Sequence, residues 1–189
     1  VETKAAFFSC EKGQVLPIGY PRYDILRKQY PQVERELNKH LFKKMVVWMP
    51  TYRKVDSGEA PESNIQTDFD LPLLNSEEEL KQLNRFCQQR QILLYIKKHP
   101  AQVPYTSEGL NLSNIVFLSY NDLRRRGIQN CELLALADAL ISDYSSAAID
   151  YLLLDRPVAF ALADFEAYRD TRGFVFADPL KYMPGHHLY

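Results

Sequence analysis

Short apolar runs alternate along the chain with segments in which apolar residues recur at helical spacing. Met45-Val46-Val47-Trp48-Met49 is too short for a helix core and is closed by Pro50-Thr51, the form of a strand buried on both faces. Ile92 to Ile96, Ile115 to Leu118, Ala139 to Ile141 and Val158 to Phe160 repeat that form, and Val15 to Ile18 predicts a further short strand closed by Gly19. Helices are expected over Asp24 to Tyr30, where Pro31 breaks the pattern, then over Val33 to His40, Glu132 to Ala137 and Ser146 to Leu154. The clearest helix opens at Ser76, an N-cap followed by Glu77, Glu78 and Glu79. Leu80, Leu83, Phe86 and Cys87 then share one face until about Arg90. Tyr52 to Leu74 is polar, holds Gly58, Pro61 and Pro72 and reads as a long loop. Strands alternating with helices predict an α/β fold: a parallel, doubly wound, Rossmann-like sheet with helices on both faces, in a single domain over residues 1–189.

Composition narrows the function classes. With 46% hydrophobic and 25% charged residues the chain is ordinary for a globular protein, and no apolar stretch approaches the ~20 residues that span a bilayer. A net charge of −1 gives no global attraction to nucleic acid, so anion binding has to be local. Arg124-Arg125-Arg126, the one dense basic run, reads as a solvated loop or helix face, or else as a membrane-surface or phosphate contact. Cys10, Cys87 and Cys131 lack the close spacing of metal or redox motifs and fit reduced thiols in a cytoplasmic protein. The opening without methionine and the finish at a turn suggest a piece of a longer polypeptide.

In a doubly wound sheet, ligands sit beyond the carboxyl ends of the strands. The polar groups there are Pro50-Thr51-Tyr52-Arg53, Lys98-His99-Pro100, Ser142-Asp143-Tyr144-Ser145-Ser146 and Asp164 to Arg172. The serine turn lies between a strand and an apolar helix, where backbone N–H groups, the helix dipole and two hydroxyls can cradle an anion; Ser145 or Asp143 would equally serve as a plain helix cap. His99 at a strand end can donate to a phosphate oxygen or play a purely structural part. Asp164, Glu166, Tyr168, Arg169 and Arg172 could bind ribose and phosphate or pair among themselves. Asp150 could reach a ribose hydroxyl or complement the helix amino end, and Arg22, after Gly19 and Pro21, could face a ligand or an internal acid.

Taken in order, Gly19 to Asp24, Met49 to Arg53, Ile96 to Pro100, Ser142 to Ser146 with Asp150, and Asp164 to Gly173 resemble the CDP-glycerol glycerophosphotransferase family of teichoic acid polymerases and primases. The resemblance covers nearly the whole chain. It implies the carboxyl-terminal, donor-binding half of a GT-B enzyme, which transfers a polyol phosphate from CDP-glycerol or a related donor and releases CMP. Carried over by motif, His99 is the catalytic residue and contacts the donor pyrophosphate with Ser145 and Ser146, while Thr51, Arg53, Asp143, Asp150 and Arg172 support the nucleotide site. The partners implied are an amino-terminal acceptor domain, which holds the family's base histidine and has no counterpart here, and a lipid-linked acceptor at the cytoplasmic membrane face. No metal or cofactor is called for. Two other readings remain open: a UDP-sugar-dependent GT-B glycosyltransferase and a non-catalytic nucleotide-binding module.

Overall fold

A computed structural model describes residues 1–51, 71–98 and 109–189. In chain order these form helices α1 (Glu2–Phe7), α2 (Arg22–Leu26) and α3 (Pro31–Glu36), strand β1 (Lys44–Trp48), helix α4 (Glu77–Arg90) and strands β2 (Ile92–Lys97) and β3 (Ile115–Leu118). There follow α5 (Tyr120–Arg125), α6 (Asn130–Leu136), β4 (Ala139–Ser142), α7 (Ser146–Tyr151), β5 (Val158–Ala161), α8 (Phe165–Thr171) and β6 (His186–Leu188). The strands make one sheet in the order β3-β2-β1-β4-β5-β6, and every pairing is parallel.

Burial on both faces explains why the strands read as unbroken apolar runs. Met45 and Val47 of β1 enter a core shared with Leu93 and Tyr95 of β2, Leu133 and Leu136 of α6 and Tyr151 of α7. Trp48 points the other way, into a second core with Leu80 and Cys87 of α4 and Leu94 and Ile96 of β2. Full burial of a side chain such as Leu80 contributes about 2 kcal/mol. α4 starts as expected: the Ser76 hydroxyl accepts from the Glu79 N–H at 3.3 Å, and Gln91 ends the helix in the left-handed conformation.

Several expectations are corrected. Val15 to Ile18 is no strand; Leu16 and Ile18 are 69% and 83% exposed, and Pro17 withholds the N–H that a sheet neighbour would need. The helix expected to run to Tyr30 stops at Leu26, short of Pro31, and Pro31 instead opens α3, where its missing N–H costs nothing. The helix from Ser146 passes into a 3-10 turn over Leu152–Leu154. Asp164 to Arg172, read as a polar cluster, is largely helix α8, and α1, α5 and β6 were not anticipated. β6 docks because residue 185 is glycine: a Cβ there would meet the Val158 carbonyl oxygen at 2.4 Å. Of the predicted Tyr52–Leu74 loop, only Leu71 to Leu74 lies within the described residues, with Leu71 and Leu74 buried in the second core.

Candidate functional site

Strand order reverses between β1 and β4, so the carboxyl ends of these two strands flank the switch point at which doubly wound sheets bind ligands. Thr51 follows β1 and Asp143 follows β4. The Asp143 carboxylate, 1% exposed, accepts from the Thr51 N–H at 2.7 Å and from its hydroxyl at 2.5 Å. The Ser142 hydroxyl adds a donation to the Met49 carbonyl at 3.3 Å, so side chains hold the two strand ends together across the reversal. A buried carboxylate needs such donors, and each bond to it contributes about 1.5–3 kcal/mol.

Immediately beyond, Ser145 caps α7, its oxygen accepting from the Ala147 N–H at 3.3 Å. Accepting through oxygen leaves the hydroxyl hydrogen able to donate outward. Ser146, the first residue of α7, is exposed. Thus Thr51, Asp143, Ser145 and Ser146 lie at one sheet edge. Arg53 and His99 lie outside the described residues.

Asp150 sits deeper on α7. Both its oxygens accept from Arg22, one from Nε at 2.7 Å and the other from an Nη at 3.1 Å, so of the two partners open to Arg22 it is the internal acid that is found. The Arg22 guanidinium also stacks 4.1 Å from the centre of the Tyr20 ring. Hydrogen bonding to Asp150 raises the Arg22 pKa further, while burial, aided by the Asp150 charge, pushes up Tyr23. Gly19 permits this packing: its φ is +79°, and a Cβ would lie 3.3 Å from the Tyr23 ring. The pair ties the start of α2 to the helix that carries the serine turn.

Sequence reasoning missed what surrounds Tyr144. Its hydroxyl donates to Asp164 at 2.9 Å, and its ring stacks on Tyr168 at 4.0 Å and meets Phe174 edge-on at 5.4 Å. These contacts fix α8 beside the serine turn, leaving Arg172 exposed at the helix's C-cap. The signal was a run of aromatic residues between Phe165 and Phe174, hidden by attention to the charges among them.

Elsewhere, a groove of about 630 Å³ is lined by Lys28, Tyr30, Lys39, Leu136 and Arg156, next to the amino-terminal ends of β4 and β5 and so away from the switch point. Two of its cations are engaged: Arg156 donates to the carbonyls of Ala135 and Ala137, and Lys39 to that of Leu136. No helix among the described residues is long and apolar enough to cross a membrane.

The model of the CDP-glycerol:poly(glycerophosphate) glycerophosphotransferase family matches residues 2–189. The chain belongs to this family. Among glycerophosphotransferase relatives, the teichoic acid poly(glycerol phosphate) polymerase of Bacillus spizizenii is 32% identical over 185 residues, covering 92% of this chain and 41% of that protein. The teichoic acid ribitol-phosphate polymerase TarL of Staphylococcus aureus is 28% identical, with 90% of this chain and 28% of TarL covered. A structure of the wall teichoic acid polymerase TagF matches at TM-score 0.64 and 26% identity, over 96% of this chain and 42% of TagF. A TagF structure soaked with CDPG matches at TM-score 0.59 and 26% identity, covering 96% of this chain and 39% of that one. The chain therefore spans well under half the length of these relatives.

Proposed function

We propose that this chain is the donor-binding part of a transferase that moves glycerol phosphate, or a related polyol phosphate, from CDP-glycerol to a lipid-linked or cell-surface polymer acceptor, with release of CMP. The observation that carries the reading is the Thr51–Asp143 clasp across the sheet's switch point, with the serine turn next to it. Family membership supports the cytidine donor, and the CDPG in the TagF structure supports the same class of ligand.

In this reading an acceptor hydroxyl oxygen attacks the polyol-side phosphorus. The bond from that phosphorus to the bridging oxygen breaks, and CMP leaves with the electron pair. The acceptor's proton goes to a base on a second, amino-terminal GT-B domain. His99, Ser145, Ser146 and the α7 amino end stabilise charge gathering on the departing nucleotide, an effect of about 3–4 kcal/mol per well-placed donor. Asp143, Thr51 and Arg53 shape the nucleotide site, Arg172 approaches it from α8, and Asp150 acts through Arg22 on the placement of α7. The enzyme works at the cytoplasmic face of the membrane, where lipid-linked acceptors are presented.

Ser146→Ala and His99→Ala test this. Ser146 is exposed at the first position of α7 and Ser145 provides the cap, so its loss leaves thermal stability near that of the parent chain. Each variant is expected to weaken CDP-glycerol binding about tenfold. Unchanged affinity in both contradicts the pyrophosphate assignment.

A further inference from the structure

Lys97 is the last residue of β2, at the same sheet edge as Thr51 and Asp143, and it is 7% exposed. Alternation along β2 puts Lys97 on the face of Leu93 and Tyr95, opposite Leu94 and Ile96, and in register with Leu118 of β3. Its Nζ lies 3.4 Å from the carbonyl oxygen of Lys98, so the side chain turns toward the carboxyl end of the strand. Lys12, Lys39, Lys44 and Lys81 each face a carboxylate within ion-pair distance, whereas Lys97 enters no ion pair among the described residues. Burial pushes its ammonium pKa down, and no neighbouring charge offsets this.

A methionine or leucine would fill such a position without the desolvation cost that a buried ammonium carries. An amine kept here has one natural counterpart, an anion entering the crevice beyond the strand ends, and a lysine suits phosphate as a point charge. Resting on the donor-binding reading, we infer that Lys97 contacts the donor's pyrophosphate, the bound ligand supplying the negative charge that the surrounding described residues do not. Lys97 is therefore a binding residue for the diphosphate part of the ligand rather than for its base.

The test compares the full chain with Lys97→Met and Lys97→Arg by calorimetric titration with CDP-glycerol, inorganic pyrophosphate and cytidine, together with thermal melting. Lys97→Met is expected to lose about 10- to 100-fold in affinity for CDP-glycerol and pyrophosphate. It should melt no lower than the parent and bind cytidine unchanged, and Lys97→Arg should keep part of the phosphate affinity. If the methionine chain does not melt cooperatively, Lys97→Gln gives the same comparison. A parent chain that binds CDP-glycerol, with a methionine variant that binds it equally well, overturns the inference and leaves the donor reading standing. Lys97-dependent binding of pyrophosphate without any preference for CDP-glycerol upholds the inference and removes the donor reading. A parent chain that binds none of the three overturns both.

Discussion

Arg22 and Asp150 are 128 residues apart in sequence, yet both guanidinium–carboxylate bonds have ordinary hydrogen-bond lengths and Asp150 is buried. Removing the arginine strands a buried charge, which costs 3–5 kcal/mol in fully buried pairs. The Arg22 side chain is 38% exposed, so Arg22→Met is expected to lower unfolding stability by about 2 kcal/mol. Adding Asp150→Leu should recover most of that loss, because the double variant no longer buries an unpaired acid; urea unfolding of the four chains in a double-mutant cycle measures it. The sequence showed both residues and even the alternative of an internal acid. It held nothing that joined them, since α2 packs against α6 and only so comes within reach of Asp150 on α7.

Elements whose cause is local were legible, and those whose cause is a neighbour were not. Ser76 with three glutamates announced α4, and five apolar runs announced β1 to β5 within a residue or so of their ends. The Val15–Ile18 run, apolar apart from Pro17, finds no strand to pair with, and β6, with its two histidines, is a strand only because β5 lies alongside. Gly185 decides that last contact. Gly185→Ala would drive a methyl group into the Val158 carbonyl, and the expected result is a loss of about 2–3 kcal/mol with early hydrogen exchange at His186 to Leu188. Among the candidate site residues, the serine turn was legible from its place between strand and helix. The clasp on Asp143 was not, because its donor follows another strand 92 residues away.

At the scale of the whole molecule, the core on one face of the sheet buries phenols as well as aliphatic chains. Tyr95 donates to the Leu37 carbonyl and Tyr151 to that of Ala137, each at 2.8 Å, and burial pushes both pKa values up to about 12 from an ordinary 10.0. A raised pKa means that the unfolded chain releases these protons first. The stability tied to the two phenols is therefore full below pH 10 and is lost as pH rises through 12. Urea midpoints are expected to fall above about pH 10, with phenolate absorbance for these two groups appearing only alongside unfolding. A midpoint flat to pH 12 would contradict that placement of the tyrosines.

The same sheet, by reversing strand order between β1 and β4, makes the crevice on which the functional account rests. Calorimetric titration of the chain with CDP-glycerol, CMP, UDP-glucose and ATP at one ionic strength tests that account most directly. It predicts binding of the two cytidine ligands well ahead of the other two; a preference for UDP-glucose, or no discrimination among the four, would contradict it.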